Sequence, residues 1–237
     1  MPPEELALLS AIHTDPRNDS LRLAYADWLE KVNKGEYAEF IRLQCQHPYI
    51  AVLYHPPSPP RVGLSFEMPW EDSQAKARLK RLLSLAPHAY RVGAEFWEEH
   101  FRGLPLLQQE LHENQITYAQ ELLELIGPAA RLDLSLHTAQ LADWLAHPVM
   151  TRVDKLHIWP NLPSDAEPDE QCTLNPHYDA FWAENIPVLA ASAVIDRLEE
   201  LNPCGCISTG KMTSRSVQNL ALCREFLEPR VCVEYSY

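Results

Sequence analysis

Apolar residues recur with a helical period through the first part of the chain. Leu6, Leu9 and Ile12 share one face of a predicted helix, which Asp15-Pro16 ends, because the residue before a proline is pushed out of helical backbone. Asn18-Asp19-Ser20 offers N-caps for a second helix over Leu21 to Val32, with Leu21, Ala24, Tyr25, Trp28 and Leu29 on one face. Lys34-Gly35 makes a break, and a third helix over roughly Tyr37 to Gln46 buries Phe40, Ile41 and Leu43. Tyr54-His55-Pro56-Pro57-Ser58-Pro59-Pro60 suits neither helix nor central strand, since proline fixes the backbone and removes donors, and it reads as an extended connection. A helical pattern returns over Asp72 to Leu85, with Leu79, Leu82 and Leu83 apolar. The stretch from Arg91 to Arg102 carries Phe96, Trp97 and Phe101 among charges and lies between two parts of the chain.

From about residue 104 the period changes. Arg131 to Leu136, Lys155 to Trp159 and Arg230 to Tyr235 alternate apolar and polar residues, as half-buried strands do. Leucine- and alanine-rich helical stretches precede the last two. Leu141 to Pro148 leads to Val153 to Ile158, Ile186 to Ser192 leads to Leu198 to Cys204, and Val217 to Cys223 leads to Phe226 to Val233. Leu145, Leu189 and Leu220 take equivalent places, 44 and 31 residues apart. The shorter spacing lies near the upper end of leucine-rich-repeat lengths, about 20–29 residues. The longer one holds an insertion that includes the acidic run Ser164 to Glu170. A helix–strand unit cannot bury its own apolar face, so stacked units build one continuous core.

Residues 5–44 carry a more specific signature: Leu8-Leu9-Ser10-Ala11-Ile12, Asp15-Pro16, Asp19, the run Arg22-Leu-Ala-Tyr-Ala-Asp-Trp-Leu-Glu30, and Ala38-Glu-Phe-Ile-Arg-Leu-Gln44. This segment resembles the small repeat-companion domain of planctomycete and myxobacterial proteins, which precedes leucine-rich or propeller-type repeat arrays. Leu189-Ala-Ala-Ser192 followed by Leu198-Glu-Glu-Leu201 is similar to leucine-rich repeats of the ribonuclease-inhibitor type. Two departures stand out: Asn202-Pro203 replaces the usual leucine or isoleucine, and glycine is scarce in the turns. The resemblance implies an α/β architecture, with a small N-terminal helical domain followed by a short, irregular leucine-rich-repeat solenoid. Parallel strands would lie on one face and helices on the other. The expected division is a helical domain over 1–50, a proline-rich connection with linking helices over 51–103, and the repeat domain over 104–237 with an acidic insertion near 162–184. The family has no general activity to transfer.

Composition narrows the function. Twenty prolines and seven glycines in 237 residues disfavour phosphate-cradling loops, which need glycine for close backbone approach. A net charge of −13 repels polyanions, so nucleic acid is not the expected partner. The basic strip Lys76, Arg78, Lys80 and Arg81 reads as one solvated helix face. No apolar run has the roughly 20 residues that a membrane span needs. The acidic start, Met1-Pro2-Pro3-Glu4-Glu5, lacks the apolar core of a signal peptide. The expectation is a cytoplasmic protein with reduced cysteines and no membrane partner.

Recognised catalytic motifs are missing: there is no Walker-type loop, G-x-S-x-G or H-E-x-x-H. Cys204-Gly-Cys206 has a one-residue gap and no second pair, unlike a zinc site. Cys172, Cys204, Cys206, Cys223 and Cys232 read as small buried apolar residues, with metal binding the alternative. Neither a metal nor a cofactor is expected. Asp19, Asp27 and Glu30 form a carboxylate group that reads as structural, with Asp19 capping a helix and Asp27 in a buried pair with Arg22 or Arg42. Tyr25 and Trp28 read as core aromatics.

In a strand of alternating pattern the leucines point inward and the residues between them face outward. The expected partner surface therefore comprises Arg131, Asp133 and Ser135, then Lys155, His157 and Trp159, then Glu200, Asn202 and Cys204, then Arg230, Cys232 and Glu234. Trp159 is the expected anchor, unless it packs under the insertion that follows it. The leading functional expectation is a non-catalytic scaffold or adaptor for a protein partner. One alternative is an enzyme, or an obligate enzyme subunit, using His88, Glu95, Glu98, Glu99 and His100 at the junction of the two parts. Another is a regulated target or inhibitor in a bacterial stress or defence pathway, with the acidic insertion as the controlled element. An incompletely capped repeat end would also allow self-association.

Overall fold

A computed structural model describes residues 1–47, 52–54, 61–62, 74, 77–79, 81–82, 98–101, 104–161, 176–203 and 214–233. The chain divides into two compact units, one of residues 1–108 and 124–132, the other of residues 109–123 and 133–237.

Three helices open the first unit: α1 (Pro3–Thr14), α2 (Asp19–Lys31) and α3 (Gly35–Gln46). The Asn18 side chain caps α2 by accepting a hydrogen bond from the Ser20 backbone N–H at 3.1 Å. Asp19 is thus the first helical residue of α2 and not its cap. Asn33 ends the turn after α2 with φ 63°, a left-handed conformation that asparagine tolerates better than most residues. Leu9, Ile12, Tyr25, Ala26, Trp28, Leu29, Ala38 and Ile41 form one core with Leu104. Leu6 departs from the predicted face and is exposed, while Glu5 is buried in its place. The reason is polar: the Tyr25 hydroxyl donates to Glu5 Oε1 at 3.0 Å, and Lys34 Nζ lies 3.8 Å from the same oxygen.

Four strands belong to this unit, in the order β2-β1-β3-β4 and all antiparallel: β1 (Val52–Tyr54), β2 (Arg61–Val62), β3 (Glu98–Phe101) and the start of β4 (Leu104–His112). Tyr54, assigned from sequence to the proline-rich connection, therefore closes a strand. Residues 98–101 likewise pair with β4, where the sequence suggested linking helices. Residues 77–79 are helical. Arg78 binds Glu39 of α3 through two nitrogens, one of them at 2.9 Å.

The second unit is mixed α/β. Its sheet has the order β4-β5-β6-β7-β8, with β5 (Arg131–Thr138), β6 (Val153–Pro160), β7 (Glu200–Pro203) and β8 (Cys232–Val233), and the five strands run parallel. Leu156 lies opposite Leu201, which lies opposite Val233. Leu134, Leu136, Leu156, Ile158 and Leu201 are fully buried, as the alternation predicts. Between the strands run α4 (Ile116–Ile126), α5 (Leu141–Ala146), α6 (Pro176–Ala191) and α7 (Ser214–Leu222). A 3₁₀ turn over Pro148–Arg152 follows α5, and a π-helical turn over Cys223–Leu227 follows α7.

The helices face the core through neighbours of the residues aligned from sequence. In α5 the buried residues are Leu141 and Trp144, and Leu145 is half-buried. In α7, Asn219 is buried and donates to the Asp179 carbonyl of α6 at 3.0 Å, whereas Leu220 is half-buried. Leu189 of α6 is buried as expected. The acidic run 164–170 lies outside the described residues, while residues 176–184 of the expected insertion belong to α6. Among the described residues no helix is long and apolar enough to cross a membrane.

Candidate functional site

One face of the second unit's sheet holds the buried leucines, and the other carries the intervening polar side chains. On that second face lie Glu110 and His112 of β4, Asp133, Ser135 and His137 of β5, Lys155, His157 and Trp159 of β6, and Glu200 of β7. A strand is pleated, so alternate residues must share a face, and hydrogen-bonded neighbours bring these rows within contact range.

Three acid–base pairs cross from strand to strand. Glu110 Oε1 lies 2.9 Å from His137 Nε2, Asp133 Oδ1 lies 2.9 Å from His157 Nε2, and Lys155 Nζ lies 3.3 Å from Glu200 Oε2. Lys155 and Glu200 are also direct partners in the strand register. Each of these acids thus meets a base on the neighbouring strand. Burial works against charge on His157, but the hydrogen bond and charge of Asp133, helped by Glu200, outweigh it despite Lys155, and the pKa is raised. His137 goes the other way. Burial, reinforced by neighbouring His112, prevails over Glu110 and lowers its pKa.

At the carboxyl ends of β4, β5 and β6 the same face becomes a row of rings. His112 and His137 stack with centroids 4.6 Å apart and planes 25° apart. His137 and Trp159 follow at 6.0 Å and 8°. Trp159 remains 40% exposed. Beyond the row, Glu113 reaches across the strand ends to the Ala139 backbone N–H and the Asn161 side-chain amide.

Other sequence candidates are placed differently. Arg131 is only 2% exposed, because its guanidinium turns back within the first unit and donates to the Ile12 carbonyl in the last turn of α1. Helix ends leave such carbonyls without partners inside the helix, and they attract cations. Arg230 sits before β8 and does the same for α6, binding the carbonyls of Ala190 and Ser192 and the carboxylate of Asp196. Asn202 is buried in β7. Ser135 is half-buried on the open face. Cys232 is exposed and lies opposite Glu200, and Cys223 is buried beneath α7. Glu234 and Cys204 lie outside the described residues, as do Cys172, Cys206, His88, Glu95 and the side chains of Glu98, Glu99 and His100. Sequence reading passed over Glu110, His112, His137 and Glu113. Alternation continues from Leu136 to His137 and holds over Glu110, Leu111 and His112, but the expected strand stopped at Leu136 and none was expected over β4; Glu113, in the 3₁₀ turn after β4, carries no such signal.

The charged signature of the first unit has structural partners. Arg22 is buried and donates to the Pro16 carbonyl, with Asp19 at 3.8 Å, so it pins the turn between α1 and α2. Arg42 joins Asp27 at 2.6 Å and Glu30 at 2.7 Å, tying α3 to α2. Both carboxylates are exposed, so this pair is a surface clamp and not the buried pair expected. Tyr25 and Trp28 stack at 5.9 Å in the core.

Chemically, the open face is a set of paired polar side chains beside a partly exposed aromatic row. No nucleophilic side chain among the described residues hydrogen-bonds to His137 or His157. Among the same residues, no three His, Cys, Asp or Glu side chains are grouped to hold a metal ion. No protein-family model, curated protein or solved structure matches the chain.

Proposed function

We propose that the chain is a non-catalytic interaction scaffold. In this reading a small helical domain of repeat-companion type precedes a short, irregular leucine-rich-repeat array, and the array's open sheet face receives a protein partner. The observation that carries the reading is the row of cross-strand acid–base pairs leading to exposed Trp159. Side chains already held by neighbours lose little freedom when a partner arrives. A large, half-exposed indole at the edge of such a surface is the kind of group that anchors interfaces. Succession of parallel strand and helix from β5 to β8, with leucines inward, supports the repeat reading.

The test is affinity capture with the tagged full-length chain, repeated with the purified partner so identified. Trp159→Ala is expected to weaken that binding about tenfold or more while the chain stays folded. A partner held equally well by the variant would move the binding surface elsewhere. Failure to find any stoichiometric partner would remove the scaffold reading.

A further inference from the structure

Beyond the ring row the ends of β4 and β6 border an open cleft of about 710 Å³, lined by His112, Glu113, Asn114, Gln115 and Asn161. Glu113 supplies an oriented carboxylate. Its Oε2 accepts from the Ala139 backbone N–H and from Asn161 Nδ2, both at 3.4 Å. Its Oε1 accepts no hydrogen bond from the described residues. Asn161 directs its amide nitrogen to Glu113 and its backbone N–H to the Thr138 carbonyl, which leaves Oδ1 as a second acceptor. His112, the last ring of the stacked row, forms a flat wall beside them. Its own position is set locally, because its backbone N–H donates to Gln115 Oε1 at 2.8 Å.

An anionic oxygen, a neutral acceptor and a planar ring at the edge of a stack match one side-chain chemistry. A guanidinium is flat, permanently charged and rich in N–H donors, and it stacks on ring faces. An anion would be repelled by the Glu113 carboxylate, and an ammonium has no plane to stack on the ring and fewer donors to share. We propose that this cleft binds a single arginine side chain of the protein partner, with its guanidinium flat against His112 and its N–H groups donated to Glu113 and Asn161. The proposal rests on the reading of this face as the partner surface. Charge favours it, since a chain of net charge −13 draws a cationic segment towards itself. The long contacts that now hold Glu113 would be exchanged for shorter charge-assisted ones. Burial lowers the pKa of the neighbouring His137 imidazole, which disfavours a positive charge beside the incoming cation.

The probe is arginine methyl ester, titrated into the full-length chain while the side-chain amide resonances of Asn114, Gln115 and Asn161 are followed by NMR. Lysine methyl ester serves as the comparison. Saturable shifts are expected, with arginine at least about threefold tighter than lysine. Glu113→Gln is expected to weaken arginine about tenfold. Asn161→Ala, which removes the second acceptor and the amide that orients Glu113, is expected to weaken it severalfold. Glu121→Gln, on the exposed side of α4, is expected to change nothing. Absence of saturable shifts overturns the proposal. So does equal binding of lysine, a Glu121→Gln effect as large as that of Glu113→Gln, or no loss with Asn161→Ala. The titration needs no partner protein, so its failure leaves the Trp159→Ala capture result standing, and failure of capture leaves the titration standing.

Discussion

Asp133 Oδ1 and His157 Nε2 lie 2.9 Å apart across β5 and β6, with side chains 12% and 23% exposed. The imidazole is half-sheltered, yet the carboxylate raises its pKa. A histidine whose folded pKa exceeds its unfolded one, about 6.5, stabilises the fold fully below the unfolded value. That contribution is lost as pH rises through the folded value. Asp133→Asn should therefore cost about 1 kcal/mol near pH 6 and much less near pH 8.5. Urea unfolding at the two pH values measures this, and an equal cost at both would show that the pair is not charged.

His137 should titrate with the opposite sign. Its lowered pKa means that the folded state favours neutral imidazole. Stability from this residue is present above the unfolded pKa and falls as pH drops through the folded one. Replacing His137 with glutamine should flatten the acid limb of the stability profile, whereas His157→Gln should flatten the limb towards alkaline pH. Identical profiles for the two variants would contradict the assignment of the pairs.

Trp144 and Trp159 contrast the two faces of the same unit. Trp144 is 1% exposed within α5 and Trp159 is 40% exposed at the end of β6. Trp144→Ala should cost about 3–5 kcal/mol by opening a cavity. Trp159→Ala should cost about 1 kcal/mol or less, mainly the stack on His137. A Trp159 variant as unstable as the Trp144 variant would mean that the indole is a core element.

Backbone geometry separates Gly127 from Asn33. Both have positive φ, 67° and 63°. A Cβ on Gly127 meets nothing within 4 Å, so Gly127→Ala should cost only the left-handed backbone penalty, about 1–2 kcal/mol. Asn33→Gly removes that penalty and should be neutral or slightly stabilising. Thermal unfolding of the two variants tests both signs.

Arg230 should resist conservative exchange. Its guanidinium reaches Asp196 and two carbonyls at the end of α6. Lysine offers one flexible ammonium in place of a fixed fork. Arg230→Lys should lose about 1 kcal/mol in urea unfolding, and full retention of stability would show that one contact suffices.

Periodicity alone determined the three opening helices, the helix-strand alternation after residue 104 and the inward leucines of β5, β6 and β7. Each is local: hydrophobic residues recur at the repeat of the element that buries them. The same alternation correctly put Asp133, Lys155, His157, Trp159 and Glu200 on the open face. Tertiary structure decided the rest. Arg131 and Arg230 occupy outward positions by pattern, but each meets the carbonyls of a helix end brought there by the fold, and an unpartnered carbonyl attracts the nearest guanidinium. Pairings of Glu110 with His137 and Asp133 with His157 join residues on different strands, a proximity that strand register creates and no spacing along the chain encodes. The strands β1 to β3 are short, so propensity is too weak to reveal them, and pairing with neighbouring strands is what makes them strands. Sequence thus set which residues could line a surface. Only the packed chain decided which of them stayed on that surface and which turned to a helix end.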